Sequence, residues 1–236
     1  MAEIYIVSAA DENFKEMVKM TELSSNLLRY KTFIYDLGNL GYGTPFEARI
    51  SQKAGAKIPS KPLIIQDALQ KVNVNDMVLW LDADAIIWDR VDEVYSNNFD
   101  IAVTVRKKKD KENSLPINAG VVFVKKTSNT DILMDKWITA CNTGISDQVE
   151  LNRLLNVVSN DIGNVVVRNN LRIKVLPCDI YNNFYFKKNQ NHAKIIHYKS
   201  KHRAYWPRKT VNKIPKNPTK EQILLNTVGL TGDKFV

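Results

Sequence analysis

No stretch of the 236-residue chain approaches the roughly 20 apolar residues that a membrane-spanning helix needs, which excludes an α-helical membrane span as its organising feature. No charged-then-apolar leader opens it, because Glu3 and the strand-like Ile4-Tyr-Ile-Val7 come at once. The expected location is the cytoplasm, with peripheral contact at an anionic membrane surface as a further option. Cysteine is nearly absent. Cys141 and Cys178 lack metal-like spacing, which predicts two buried thiols in a reducing compartment rather than a disulfide framework. The turn after the first apolar run, Ala9-Ala10-Asp11-Glu12, holds no glycine where a glycine-rich phosphate loop would need it. The chain also lacks internal repeats, low-complexity tracts and any recognisable nucleic-acid-binding motif.

What it has in excess is positive charge. Thirty-four Lys and Arg against 25 Asp and Glu give a net charge of +9, and the pI is near 9.4. Such a balance suits an anionic partner: nucleic acid, an anionic lipid surface or a phosphorylated small molecule. The cations cluster at Arg106-Lys-Lys-Lys109 and along 187–220, where Tyr198, Tyr205 and Trp206 are interleaved. A hydrophobic fraction of 44% over this length is enough for one sizeable core. We expect a single domain over 1–236, with a nucleotide-binding half at 3–110, a donor and acceptor half at 111–210, and a helical tail beyond.

The first half alternates strand and helix patterns. Glu3 to Ser8 reads as a buried strand, and 13–30 as a helix with Phe14, Met17, Val18, Leu23, Leu27 and Leu28 on its apolar face. A strand over Lys31 to Leu37 ends in a glycine-rich turn at Gly38, Gly41 and Gly43. Pro62 opens a helix through Val72, and Ile101 to Val105 is a further strand. The second half predicts a strand over Ile117 to Lys125 and helices over Thr130 to Cys141 and Ser146 to Val158. A hairpin turning at Asn169-Asn170, a short strand over Lys194 to Tyr198 and a helix over Lys220 to Val228 complete it. Strands alternating with helices imply an α/β fold with a mostly parallel, Rossmann-like central sheet, and ligands at the carboxyl ends of its strands.

The most informative stretch is Val78-Leu-Trp-Leu-Asp82-Ala-Asp84-Ala-Ile-Ile-Trp88, an apolar run that ends in two carboxylates. Along an extended chain Asp82 and Asp84 project to the same side. Two like charges so placed repel unless a cation or a strong hydrogen-bond network lies between them. Paired carboxylates suit Mg²⁺ or Mn²⁺, which keep positions open for water and phosphate oxygens.

Three other segments carry chemistry-bearing residues. In Ala9-Ala10-Asp11-Glu12-Asn13-Phe14, Asp11 or Asn13 reads as a helix cap, a role compatible with ligand binding. In Pro116-Ile-Asn118-Ala119-Gly120-Val-Val-Phe-Val124, small residues after Asn118 let a ligand approach the backbone. In Ile196-His197-Tyr198-Lys199-Ser200-Lys201-His202-Arg203, a histidine ends an apolar strand before a basic cluster.

With the four segments together, the chain resembles the metal-dependent glycosyltransferases of the GT-A fold, most closely glycosyltransferase family 8, from about Glu3 to Arg203. The resemblance implies that Ala9, Asp11, Asn13 and Phe14 hold the nucleoside, with the Phe14 ring against the base. It implies that Asp82, Asp84 and His197 bind the metal, and that Asn118, Ala119 and Gly120 line the donor sugar. Asp147 and Gln148 match the family's Asp-Gln pair beside the sugar, although Asp147 also reads as a cap following Ser146. Arg203 lies where the family supplies its phosphate-binding cation, and Lys199 or Lys201 would add charge-assisted contacts to the same oxygens. Phe14 replaces Tyr, Ser200 replaces Gly and Arg203 replaces Lys in the family's pattern, and 53–62 looks more like other GT-A groups.

The activity implied is hexose transfer, with retention, from a nucleotide-diphospho-sugar such as UDP-glucose or UDP-galactose. Mn²⁺ or Mg²⁺ is the implied cofactor, and the acceptor is a saccharide, lipid-linked glycan or protein. The nearest rival is a sugar-phosphate nucleotidyltransferase, which the missing glycine loop disfavours. A basic non-enzymatic module is the second rival, and it leaves the aspartate pair unexplained.

Overall fold

The computed structural model describes residues 2–10, 14–37, 60–95, 98–107, 115–142, 145–184 and 192–198. The turn at Gly38, Gly41 and Gly43, the helix over 220–228, and Asp11, Asn13, Lys199, Ser200, Lys201 and Arg203 lie outside the described residues. Among the described residues no helix is long and apolar enough to cross a membrane. Cys141 and Cys178 are buried free thiols.

The central sheet is built from β1 (Ile4–Ala10), β2 (Lys31–Asp36), β3 (Met77–Leu81), β5 (Ile101–Val105), β6 (Ile117–Lys125), β7 (Val165–Arg168) and β8 (Leu171–Pro177), in the order β2-β1-β3-β6-β5-β8-β7. Strands β2, β1, β3, β5 and β8 run one way, with β6 and β7 against them. This is the mostly parallel α/β sheet expected from the alternating patterns, and it interleaves strands from both halves of the chain. A second sheet, in the order β4-β10-β9, joins β4 (Ala85–Ile87), β10 (Ile195–His197) and β9 (Asn183–Phe184).

Every residue of β3 and β6 is buried, because both faces of the central sheet are covered. On one face, Val78, Trp80, Val103 and Val122 meet Ile64, Ile65, Leu133, Trp137 and Leu151. Those partners come from α2 (Ser60–Gln70), α3 (Ser128–Cys141) and α4 (Asp147–Leu155). On the other face, Met77, Leu79, Leu81 and Phe123 pack with Tyr30, Ala85, Ile87 and Ile195. Helix α1 (Lys15–Leu27) joins this side through Met17 and Met20, which pack with Ile86, Ile196 and Tyr198 of the small-sheet region.

Element ends follow local chemistry. Thr127 caps α3 in a reciprocal box with Thr130. Helix α4 stops at Asn156, which adopts a left-handed conformation (φ 45°), so the helix ends short of the predicted Val158. Asn169 and Asn170 both have positive φ and turn the β7–β8 hairpin as predicted. The buried face of α1 departs from the predicted one. Thr21, Ser24 and Ser25 are fully buried there, whereas Leu27 is exposed. The N-cap position of α1 falls on Phe14, whose side chain makes no capping bond.

One irregularity prepares the site. Val103 pairs with Val122, but the next residue, Thr104, pairs with Asn118, so four steps along β6 match one along β5. The Ala119–Val121 backbone therefore leaves β5 and bows at the carboxyl edge of β3, as bulges beside functional sites do.

Candidate functional site

Strand β3 ends at Leu81, and the chain turns at once. The Ala85 N–H donates to the Asp82 carbonyl at 2.8 Å, closing a tight turn over Asp82–Ala85. This corrects the expected extended path: a turn, not strand alternation, brings the Asp82 and Asp84 carboxylates to one place. Buried hydroxyls hold the turn. Ser8 Oγ donates to the Leu81 carbonyl at 2.7 Å, and Thr21 Oγ1 donates to the Ala85 carbonyl at 2.7 Å. The Asp82 N–H donates to the Gly120 carbonyl at 2.9 Å, fixing the turn to the bowed part of β6. After the turn, β4 pairs with β10 so that His197 stands opposite Ala85, and the Tyr198 N–H donates to the Asp84 carbonyl at 2.8 Å. A residue 113 positions away in sequence thus lies against Asp84.

His197 Nε2 is 2.9 Å from Asp84 Oδ1 and 3.8 Å from Asp82 Oδ2. One ligand atom from each of Asp82, Asp84 and His197 lies within 4.8 Å of the others. His197 and Asp84 are buried and Asp82 is partly exposed, so the cluster opens to one side. Two carboxylates and an imidazole form a donor set suited to a divalent cation. Gly120 makes the approach possible. A Cβ there would stand 2.2 Å from His197 Cε1, 2.7 Å from Nδ1 and 3.0 Å from Asp82 Oδ2. The site therefore needs the space at Gly120, not a special backbone angle.

Lys61, at the start of α2, joins Asp82 to Asp147. Its Nζ is 3.0 Å from Asp82 Oδ1 and 2.9 Å from Asp147 Oδ2, and it donates to the Ala119 carbonyl at 2.8 Å. The ammonium also lies 5.6 Å from the Trp80 ring centroid. Burial alone would lower the lysine's pKa, but the charges of Asp82 and Asp147 raise it well above the usual range. Burial likewise favours a protonated Asp82. Lys61, His197 and the Trp80 indole outweigh it and hold that carboxyl at about 2. The indole N–H donates to Asp82 Oδ1 at 2.8 Å.

Asp147 is the first residue of α4, and the preceding Ser146 is its N-cap, accepting from the Val149 N–H at 3.4 Å. Asp147 is therefore not the cap, and its carboxylate turns to Lys61. Gln148 Oε1 accepts from the Ala119 N–H at 3.3 Å, which ties α4 to the bowed strand. The structure thus brings Asp82, Asp84, His197, Ala119, Gly120, Asp147 and Gln148 to one edge. Asn118 is fully buried in β6, with Oδ1 accepting from the Gly120 N–H at 3.2 Å. Ala9 is buried near the end of β1, and Phe14 packs with the α1 and small-sheet cluster. Sequence reasoning missed Lys61 and Trp80 as members of the site. Trp80 carried one signal, its place two residues before Asp82, and Lys61 carried only its place before Pro62.

Residues 2–206 match the family model described as nucleotide-diphospho-sugar transferase, and the chain belongs to that family. It is accordingly a glycosyltransferase, as the resemblance implied. Its fold is similar to that of a glycosyltransferase involved in glycosylation of the major capsid of PBCV-1. The TM-score is 0.55 at 17% identity, covering 86% of this chain and 97% of that one. The glycosyltransferase GlyE of Streptococcus pneumoniae TIGR4 is similar at TM-score 0.55 and 16% identity, covering 99% of this chain and 66% of that one. The galactosyltransferase LgtC, solved with donor and acceptor sugar analogs, is similar at TM-score 0.53 and 13% identity, covering 97% and 96%. No curated protein is significantly similar in sequence.

Proposed function

We propose that this chain is a family 8-like enzyme that transfers a hexose, with retention, from a UDP-sugar to a saccharide acceptor. Asp82, Asp84 and His197 hold Mn²⁺ or Mg²⁺ in this reading. The observation that carries it is the convergence of those three side chains at the carboxyl edge of β3, where ligands of such sheets gather, in a chain of the nucleotide-diphospho-sugar transferase family. A bound divalent ion would supply Lewis-acid stabilisation of the charge that develops on the departing diphosphate.

The chain's own residues do the rest. Trp80 and Lys61 hold Asp82 Oδ1, which leaves Oδ2 on the side of His197 and would let it serve as a ligand. Lys61 directs the Asp147 carboxylate to the same edge. Asp147 and Gln148 face the donor sugar, alongside the backbone of Asn118, Ala119 and Gly120. Ala9, Asp11, Asn13 and Phe14 take the uridine, and Lys199 and Arg203 add charge-assisted bonds to the phosphates. Retention follows if the acceptor hydroxyl gives its proton to the leaving phosphate oxygen on the face that the phosphate vacates.

A donor-hydrolysis screen across nucleotide-sugars with Mn²⁺ tests the reading without knowledge of the acceptor. UDP-galactose and UDP-glucose come first, LgtC being a galactosyltransferase. The expected result is hydrolysis of a UDP-sugar that stops in chelator and falls at least about 100-fold in Asp84→Asn, whose fold is retained. Wild-type turnover by Asp84→Asn, or equal turnover in chelator, would overturn it.

A further inference from the structure

The side of His197 that faces away from the aspartates is built as carefully as the side that faces them. We propose that Asn182 is a positioning residue: it fixes the hydrogen of His197 on Nδ1 and so leaves Nε2 for the metal. The inference rests on the metal reading above and adds to it the device that orients the ligand.

Asn182 is fully buried, immediately after α5 (Cys178–Tyr181). Its Nδ2 lies 2.8 Å from Thr104 Oγ1 and 3.2 Å from the Asn118 carbonyl oxygen. A carbonyl oxygen only accepts, so the amide edge facing it must be the NH₂. Thr104 gives the same answer, because its single hydroxyl hydrogen is donated to that same Asn118 carbonyl at 3.0 Å. The hydroxyl oxygen then has lone pairs for Asn182 and no hydrogen. Both neighbours require a donor, so the amide orientation follows from hydrogen-bond chemistry and a flipped amide is excluded.

With NH₂ on that side, the Asn182 carbonyl Oδ1 faces His197 Nδ1 at 2.9 Å. Oδ1 only accepts, so Nδ1 carries the hydrogen. In the neutral form that a metal ligand requires, the imidazole has one N–H, which leaves a lone pair on Nε2, 2.9 Å from Asp84 Oδ1 and 3.8 Å from Asp82 Oδ2. A lone pair aimed at carboxylates is repelled unless a cation lies between them. The ring is also held in plane: Phe184 stacks on it with centroids 6.3 Å apart at 24°, and its Cε1–Nδ1 edge occupies the space that a Cβ at Gly120 would take. The β5–β6 irregularity contributes directly, since it sets Thr104 opposite Asn118. Outer partners of this kind orient ligating histidines and raise their basicity, and losing one costs about 10–100-fold in metal affinity.

The test uses the full chain with ¹⁵N-labelled histidine, of which there are three, and with Mn²⁺ or Mg²⁺ alone. In the metal-free wild type, and with Mg²⁺, NMR should show hydrogen on His197 Nδ1. In Asn182→Leu the hydrogen should move to Nε2, where Asp84 can accept it. Mn²⁺ affinity by calorimetry should fall about 10–100-fold in Asn182→Leu, and in the same direction but less in Thr104→Val. The milder variant carries the test if Asn182→Leu does not fold. A wild-type His197 with hydrogen on Nε2 alone, or unchanged Mn²⁺ affinity in both variants, would overturn the proposal. A wild type that binds no Mn²⁺ yet keeps hydrogen on Nδ1 would sink the metal reading and leave Asn182's hold on the tautomer established.

Discussion

Replacing Gly120 by alanine should separate folding from metal binding. The added carbon would stand 2.2 Å from His197 Cε1 and 2.7 Å from Nδ1. Carbon–carbon contacts settle at about 3.5–4.0 Å, so the ring must retreat by about 1.3 Å or the β6 backbone must yield by as much. The ring has little room, because Phe184 stacks on it and Asn182 holds Nδ1. Metal–ligand distances tolerate only about 0.2 Å, so this displacement removes His197 from the coordination set. Overpacking costs about 1–3 kcal/mol, a fraction of a typical stability of about 5–15 kcal/mol. Gly120→Ala should therefore still unfold cooperatively, with Tm lowered by about 2–12 °C for a chain of this size. Its Mn²⁺ affinity, by calorimetry, should fall at least about 100-fold, beyond the loss expected from an outer-sphere contact. A variant with wild-type Mn²⁺ affinity would refute the reasoning, because it would mean that His197 need not lie where Gly120 allows it.

Two further outcomes follow from the buried charges. Lys61→Met leaves Asp82 and Asp147 without the ammonium that now lies 3.0 and 2.9 Å away. Breaking a buried pair costs about 3–5 kcal/mol, and the partial exposure of both carboxylates places this case toward the low end. Urea unfolding should show that loss together with a fall in donor hydrolysis, and an unchanged midpoint would contradict the arrangement. Asp100 gives the pH dependence. Burial raises its pKa, but the bonds from the Arg172 guanidinium and backbone N–H outweigh burial and hold it below the ordinary 3.8. A carboxyl depressed on folding contributes its full stability above the unfolded value and loses it as pH falls through the folded one. Asp100→Asn should therefore be less stable than wild type at neutral pH. The gap should narrow only below about pH 4, as followed by urea unfolding across acidic pH.

The parts of the fold that were legible in sequence are those where one local signal decides. Val78–Leu81, within the observed Met77–Leu81, read as a buried strand because a strand covered on both faces is an unbroken apolar run. Asn169-Asn170 read as a turn because asparagine tolerates positive φ. The end of α4 was not legible: Val157 and Val158 continue the apolar pattern, and a left-handed Asn156 stops the helix regardless. The turn at Asp82–Ala85 was also hidden. It contains neither glycine nor proline, and the hydroxyls that hold it come from Ser8 and Thr21, far back in the chain. Asp82, Asp84 and His197 were found as a set through the family's motifs, since only the β4–β10 pairing makes them neighbours. Lys61 was out of reach. A lysine before a proline reads as a solvated helix start, and its burial depends on Ala119 and Asp147, 58 and 86 positions away.

The charge arrangement supports the proposed divalent ion beside Asp82, Asp84 and His197. The Lys61 ammonium is shared between Asp147 and a single oxygen of Asp82. Trp80 takes the same Asp82 oxygen, Oδ1. Oδ2 is thereby left on the side of His197 Nε2 and Asp84 Oδ1. Were Lys61 free to move to Oδ2, it would neutralise the pair and close the site, but its bond to the Ala119 carbonyl holds it on the opposite side. Lys61 therefore stays off the side where the Asp82, Asp84 and His197 ligand atoms converge. A divalent ion bound there, as proposed, would meet oriented donors and need little reorganisation, which is the condition under which fixed charges stabilise a departing diphosphate most effectively.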